Sequence, residues 1–341
     1  ADIAGDTNID LTDVETVTIK VKDPETIDLS GVAMDGAVSN TTTLKITGNK
    51  ALTVNGTSVD VDVIDASGMS EGGSFTQAAA TGRTRTKTAT YTGSGGNDQF
   101  VMSNEEDTID GGSEAAGANG DTLVLSNAIE LLIGGIVVDL SKTDDQVTTL
   151  NGLTNTSVQK GFESVDISAV TAASNGSIIT ANKIGSTIVG LNAVGGAGGR
   201  DIIKGGSGND DLRGGTGPDK ITPGAGTNTI RYAATADIVA GEVLDLTAAA
   251  TDTIIFDGTT DMSNVGITGA AAGAGKFTGL DAVNLTGAMT ATFTGAQVTG
   301  ETITFTGTAA TADAVTLTLN AAAGGTIDAS NMTHTNVATF T

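Results

Sequence analysis

A nine-residue repeat runs four times in register between Gly196 and Arg231, and it constrains the fold of this chain more than any other feature. The four units are GAGGRDIIK, GGSGNDDLR, GGTGPDKIT and PGAGTNTIR. The sixth position reads Asp201, Asp210, Asp219 and Asn228, and the eighth reads Ile203, Leu212, Ile221 and Ile230. A flexible glycine-rich linker would not keep an acid and an aliphatic residue in fixed phase. The period is typical of a parallel β-roll built from short stacked coils.

Each position of the repeat has a physical role. Glycines at the first, second and fourth positions allow positive φ and tight turns, so that successive carbonyl oxygens point toward one spot. A carboxylate at the sixth position completes an all-oxygen shell of the kind that hard cations prefer. The aliphatic residue at the eighth position begins a short strand and enters a narrow core. The pattern therefore predicts several bound Ca²⁺ ions in the turns.

Two nonapeptides make one coil, so each turn is expected to stack on the turn eighteen residues later. The turn of Asp201 then pairs with that of Asp219, and the turn of Asp210 pairs with that of Asn228. The expected ligands are these four side chains and the main-chain carbonyls of Gly196, Gly198, Arg200, Gly205, Ser207, Asn209, Gly214 and Thr216. Because Asn228 is neutral and Pro223 replaces a leading glycine, the second pair is expected to bind calcium more weakly.

A degenerate copy of the same pattern occupies residues 93–125. The unit GSGGNDQFV places Asp98 and Phe100 at the sixth and eighth positions, and Asp107 and Ile109 hold those positions nine residues later. A third unit carries an insertion and resumes with Asp121 and Leu123. We expect Asp98, Asp107 and Asp121 to be calcium ligands of a second cluster; an acidic surface loop is the alternative.

Composition narrows the class of protein. The 341 residues include 40 acids and 16 bases, for a net charge of −24, which disfavours binding to nucleic acid or to an anionic membrane. There is no Cys, so bound metal is the candidate for stabilising a secreted chain. The longest candidate apolar run, residues 128–140, is interrupted by polar residues and glycines, so no run reaches membrane-spanning length. Aromatic residues make up 3%, and the abundance of Thr, Val and Ile indicates an all-β chain with a thin aliphatic core.

Short alternating strands are predicted outside the nonapeptides. The segments LTDVETVTIK (11–20), KGFESVDISA (160–169) and TGLDAVNLTG (278–287) share an acid before an apolar, polar, apolar strand. We interpret them as rungs of a β-solenoid or stacked sheet, with the acid or a Ser/Thr side chain bonding to the backbone at each turn; antiparallel hairpins are the alternative. The chain divides into strand-rich residues 1–90, the first calcium cluster 91–125, strand-rich residues 126–195, the β-roll 196–231 and strand-rich residues 232–341.

The nonapeptides resemble those of RTX proteins exported by type I secretion. The order of LKITGNKALTV (44–54), DVIDASGM (62–69), YTGSGGNDQF (91–100) and DTIDGG (107–112) is similar to that in the calcium-dependent S-layer proteins of some Gram-negative bacteria. The segments GFESVDIS (161–168) and ADIVAGEVLDL (236–246) extend the similarity. The resemblance implies a secreted structural subunit, or a large fragment of one, that self-associates into a two-dimensional lattice at the cell surface. Cell-surface polysaccharide is expected as a further partner.

We expect no enzymatic activity. His334 is the one histidine, and the HExxH and GxSxG motifs are absent. A polysaccharide-modifying enzyme could use the many carboxylates, but the chain has few aromatic side chains to serve as sugar platforms. An RTX adhesin or glycan-binding module is the other function that the sequence leaves open.

Overall fold

The fold is known from a computed structural model of the chain. It describes residues 9–10, 14–28, 32–33, 41–55, 61–70, 73–77, 88–102, 104–112, 120–125, 135–167, 177–180, 187–189, 201–233, 237–246, 251–267, 275–308, 314–318, 330–337 and 339–340. The chain divides into two compact units, Ala1–Ala172 and Ala173–Thr341. The finer division into five segments stays a prediction.

The described part of the first unit consists of short strands. They are β1 Ile9–Asp10, β2 Thr16–Val21, β3 Glu25–Asp28, β4 Val32–Ala33, β5 Thr43–Gly48, β6 Leu52–Asn55, β7 Val63–Met69, β8 Phe75–Gln77, β9 Thr90–Thr92, β10 Gln99–Met102, β11 Thr108–Asp110, β12 Thr122–Leu125, β13 Ile136–Asp139, β14 Val147–Leu150, β15 Leu153–Thr154, β16 Gln159–Lys160 and β17 Ser164–Asp166. Two parallel sheets run in the orders β3-β6-β8-β10-β12-β17 and β16-β11-β9-β7-β5-β2. Alternate strands thus enter opposite sheets, as in a chain that coils.

The second unit repeats this plan. Its strands are β18 Ser177–Thr180, β19 Thr187–Val189, β20 Ile202–Lys204, β21 Asp211–Arg213, β22 Lys220–Thr222, β23 Thr227–Tyr232, β24 Val243–Leu244, β25 Thr251–Phe256, β26 Thr260–Asp261, β27 Gly266–Ile267, β28 Leu280–Leu285, β29 Thr290–Thr294, β30 Thr304–Thr306, β31 Ala314–Thr318, β32 Thr333–Thr335 and β33 Thr339–Phe340. A 3-10 turn spans Met262–Asn264, and helix α1 spans Gly295–Val298. The parallel sheets run β19-β21-β23-β25-β28-β30-β32, β18-β20-β22-β24-β27 and β26-β29-β31-β33.

The core of the second unit is a column of stacked apolar side chains. Leu212 pairs with Ile230, which pairs with Ile254, followed by Val283 and Phe305 in successive strands. All five are fully buried, and burial of one such side chain contributes about 1.5–3 kcal/mol. Because one strand supplies only one or two inward side chains, this core forms only when neighbouring coils stack.

These observations confirm the predicted all-β class and the eighteen-residue step of the nonapeptides. Ile203 pairs with Ile221 in parallel register, and Leu212 pairs with Ile230. The three segments expected as rungs contain β2, β17 and β28, and each pairs in parallel with a neighbouring strand. None of the helices in the described ranges has the length and apolarity needed to span a membrane.

An antiparallel insertion interrupts the coils of the first unit. Strands β13, β14 and β15 form two hairpins, and the second turns at Asn151 and Gly152, whose φ values are 53° and 76°. The buried amide of Gln146 holds the insertion against the next rung: its Oε1 accepts the Phe162 N–H at 2.9 Å and its Nε2 donates to the Phe162 carbonyl at 2.8 Å. These two side-chain hydrogen bonds take the place of backbone–backbone hydrogen bonds where the insertion joins the coil.

Candidate cation-binding turns

Acids at the sixth position of the nonapeptides stack in a column at the turns of the second unit. The Ser177 N–H donates to Asp201 Oδ1 at 2.7 Å, and the Asp201 N–H donates to Asp219 Oδ1 at 2.9 Å. The Asp219 N–H in turn donates to Glu242 Oε2 at 2.8 Å. Each carboxylate therefore accepts the N–H of the residue in the same register one coil earlier, which caps the strand that begins there.

A second column lies at the other turn of the same coils. The Asp210 N–H donates to Asn228 Oδ1 at 3.1 Å, and Asn228 Nδ2 donates to Asp252 Oδ1 at 3.0 Å. Asp210 also accepts the N–H of Gly206 in its own turn, at 2.8 Å from Oδ2. Asn228 thus stands between two carboxylates, where its amide accepts from one residue and donates to the next.

The first unit contains an equivalent column. The Phe75 N–H donates to Asp98 Oδ1 at 2.6 Å, the Asp98 N–H to Asp121 Oδ1 at 2.7 Å, and the Asp121 N–H to Glu163 Oε2 at 2.8 Å. At the opposite turn, Asp107 accepts the N–H groups of Ala89 and Asn104 at 2.8 and 3.0 Å. The structure therefore places all three acids of the degenerate cluster at buried turns, in the same relation to the strands as the nonapeptide acids.

Glycine at the turns is required because neighbouring turns lie in van der Waals contact. A Cβ on Gly205 would overlap the carbonyl oxygen of Pro223, one coil away, and would lie 2.8 Å from Asp210 Oδ2. Gly226 has a φ of 99°, and a Cβ there would overlap the Gly208 carbonyl. Main-chain carbonyl oxygens and carboxylates are consequently concentrated where the turns stack.

The described residues include most of the expected ligands. Gly205, Ser207, Asn209, Gly214 and Thr216 lie in the turns between β20 and β22, whereas Gly196, Gly198 and Arg200 lie outside the described residues. The Asn209 side chain accepts the Thr227 N–H at 2.8 Å, which links its turn to the next coil. Calcium coordination by these groups stays a prediction.

The chemistry of these turns fits a hard cation that draws many of its ligands from the main chain. Across the described ranges, no three His, Asp or Glu side chains converge as a metal-binding group. Each turn instead offers one or two carboxylates together with the carbonyl oxygens of the glycine loops. Such a mixed oxygen set is suited to Ca²⁺ and poorly suited to Zn²⁺.

The Asp252 N–H donates to Asp281 Oδ2 at 2.9 Å, which adds one more acid to the second column. Sequence reasoning missed four acids of these columns, Glu163, Glu242, Asp252 and Asp281. Glu163 and Asp281 belong to the segments expected as rungs, where the acid or a Ser/Thr side chain is predicted to bond to the backbone, but the sequence did not assign either acid to the columns. The four acids share one sequence signal. Each lies two residues before a buried apolar residue of a strand, as Glu242 does before Leu244. The same spacing holds for the nonapeptide acids and is independent of the glycines.

Burial changes the acidity of several groups in the columns. It raises the pKa of the Asp98 carboxyl above 3.8 and raises the pKa of the Glu242 carboxyl well above its usual range, with the nearby Asp219 carboxylate adding to the second rise. Burial also raises the pKa of Asp252 from 3.8 to about 6; the hydrogen bond from Asn228 opposes this rise, and Asp281 adds to it. These three carboxyl groups therefore bind protons more tightly in the folded chain than in the unfolded chain.

We expect mild acid to replace part of the calcium requirement. The pKa of Asp252 is 3.8 in the unfolded state and about 6 in the folded state, so between these pH values the folded state holds more protons. The stability that this group contributes therefore rises as pH falls, and it is lost as pH rises through the folded-state pKa of about 6. In EGTA, the β-sheet circular dichroism signal should grow as pH is lowered from about 7.5 to about 5. A β-sheet signal that falls over this range would contradict the raised pKa values of the buried acids. The increase in signal should be smaller in Asp252→Asn than in the wild type.

Comparison of the chain with protein-family models, with curated proteins and with solved structures finds no match. The geometry of the turns and the sequence resemblance are therefore the basis for assigning a function.

Proposed function

We propose that this chain is a calcium-dependent structural subunit, or part of one, of a secreted bacterial S-layer. The observation that carries the proposal is the column of buried acids at stacked glycine turns, which occurs in both units of the chain. Asp201, Asp219 and Asp210 in one unit, and Asp98 and Asp121 in the other, occupy the same structural position. A site repeated along successive coils serves to hold the coils together.

The ligands would be the column acids and the main-chain carbonyls of the adjacent turns. Bound calcium would supply the positive charge that offsets these carboxylates and a shared anchor for carbonyl oxygens of successive coils. The acids by themselves already cap the strands through the N–H groups of the preceding coil. Their negative charges repel one another when no counterion is bound, and the net charge of −24 increases this repulsion.

This arrangement links folding to location. In a low-calcium cytosol the acidic coils repel and the chain stays unfolded and fit for export. Outside the cell, millimolar calcium exceeds the dissociation constants of about 10⁻⁴ to 10⁻³ M that are usual for extracellular modules, and folding follows. Self-association of folded chains into a surface lattice is the assembly step of the proposal.

A groove in the first unit favours the second candidate function, a glycan-binding or adhesin module. It has a volume of about 510 Å³. Its polar lining comes from Ser67, Ser94, Asp110, Thr143, Asp144 and Lys160, with glycine main chain between them. Hydroxyl, carboxylate and ammonium groups suit the hydroxyls of a sugar, and saturable binding of an oligosaccharide by the soluble chain would support this function.

Electron microscopy of concentrated protein tests the lattice. With millimolar calcium we expect ordered two-dimensional arrays, and with EGTA we expect dispersed protein. Magnesium provides the matched control, because its demand for a small octahedral shell makes it a poor substitute in these turns. Arrays that form equally well in EGTA, or soluble monomers at every calcium concentration, would contradict the proposal.

A further inference from the structure

Asp252 continues a column of acids beyond the last nonapeptide. It begins the inward face of β25 and pairs in parallel register with Asn228 of β23. The segment that precedes it, EVLDLTAAAT (242–251), has none of the glycines of the repeat. Asp252 therefore keeps the spacing of the nonapeptide acids to a buried strand residue, Ile254, without the glycines of the repeat.

The carboxylate of Asp252 is buried and only half satisfied. Its side chain has 0% exposure, and Oδ1 accepts Nδ2 of Asn228 at 3.0 Å. Oδ2 is buried and has no hydrogen-bond partner. A buried oxygen that lacks a hydrogen bond destabilises the folded state, and a charged one does so more strongly.

A second carboxylate lies beside it. Between Asp252 and Thr253 the register with β28 shifts by one residue, which leaves Asp281 as the extra residue of a β-bulge. The bulge brings Asp281 Oδ2 to 2.9 Å from the Asp252 N, whose N–H it accepts. Asp281 is exposed, so the pair joins a buried carboxylate to the surface.

Within the described ranges, no Lys or Arg side chain forms an ion pair with either carboxylate. The ion pairs among the described residues join Lys45 to Asp65, Lys160 to Asp110, Arg213 to Asp237, Lys220 to Asp245, Arg231 to Asp211 and Lys276 to Glu301, and neither Asp252 nor Asp281 takes part. Two adjacent carboxylates, one with an unpartnered buried oxygen, are a donor set for a hard cation.

We propose that Asp252 and Asp281 hold an additional divalent cation of the calcium type, outside the nonapeptides. The buried Oδ2 of Asp252 is its principal ligand, and the Asp281 carboxylate is the ligand at the surface. This inference rests on the proposed function, because the cation is taken up from the same extracellular calcium as the coil closes. It extends the metal-stabilised part of the second unit to β25 and β28.

Counting bound calcium tests the inference. The full chain is refolded at pH 8, concentrated, and brought to equilibrium by dialysis against saturating calcium, and atomic emission of the solutions inside and outside the membrane gives the calcium bound per chain. We expect Asp252→Asn to retain one ion fewer than the wild type. Asp257→Asn removes the same charge from an exposed residue at the end of the same strand, where the side chain accepts the Thr286 hydroxyl at 2.8 Å, and should retain the wild-type number.

Asp281→Asn keeps the test decisive if the buried substitution prevents folding. Because Asp281 is exposed and an amide oxygen can still accept the Asp252 N–H, this variant should fold and also lose one ion. Wild-type calcium content in both Asp252→Asn and Asp281→Asn would overturn the inference while leaving the nonapeptide sites intact. A wild-type chain that retains no calcium would overturn both the inference and the proposed function.

Discussion

Gly205→Ala should prevent the nonapeptide coils from stacking. The new Cβ would overlap the Pro223 carbonyl oxygen, and it would also lie 2.8 Å from Asp210 Oδ2. A backbone oxygen cannot rotate away as a flexible side chain can, so the two coils must separate. We expect a loss of about 3 kcal/mol in the free energy of unfolding, measured by urea denaturation in saturating calcium.

Gly287→Ala is the matched control for this substitution. The nearest atom to its added Cβ is Met289 Cε, at an ordinary contact distance of 3.5 Å. Its unfolding free energy should stay within about 0.5 kcal/mol of the wild type. Equal losses in the two variants would mean that the close approach of the turns at Gly205 and Pro223 does not determine stability.

Asp219→Ala should have the second largest effect. It removes the acceptor of the buried Asp201 N–H, which now bonds to Asp219 Oδ1 at 2.9 Å, and an unsatisfied buried N–H costs about 1–3 kcal/mol. It also removes a proposed calcium ligand. We therefore expect lower unfolding free energy in saturating calcium and a higher calcium concentration at the midpoint of folding.

Two further variants separate these contributions. Asp219→Asn keeps an oxygen for the Asp201 N–H and removes the charge, so it should raise the calcium midpoint about tenfold, or about 1.4 kcal/mol, with a smaller loss of stability in saturating calcium. Asp211→Ala removes a surface acid paired with Arg231 at 2.9 Å, and such a pair contributes about 0–1 kcal/mol. If Asp211→Ala shifted the calcium midpoint as much as Asp219→Ala, the buried column would have no special role.

The sequence was sufficient to predict the eighteen-residue spacing between stacked nonapeptides and the positions of their acids at the turns. A fixed spacing between an acid and a buried aliphatic residue is local information, and the pairing of Ile203 with Ile221 follows from it. Glu242 and Asp252 were missed because the residues before them do not keep the glycine spacing of the nonapeptides, and their place in the columns depends on which coil stacks next to them. The β-bulge at Asp281 likewise arises from the pairing of two strands.

The antiparallel insertion in the first unit was also not predicted from the sequence pattern. Residues 126–195 were expected to return to strands, but the antiparallel course of β13, β14 and β15 was not predicted. Asn151 and Gly152 are a strong local signal for a hairpin turn, and both have positive φ. The attachment of the insertion through Gln146 could not be predicted, because it joins residues brought together only by the fold.

Far-UV circular dichroism during a calcium titration at pH 7.5 tests the central claim most directly. Starting from protein in EGTA, the account predicts a cooperative gain of β-sheet signal between about 10⁻⁴ and 10⁻³ M free calcium, reversed by chelator. Magnesium at the same concentrations should produce little change. The same β-sheet signal in EGTA and in calcium would contradict the claim that calcium folds this chain.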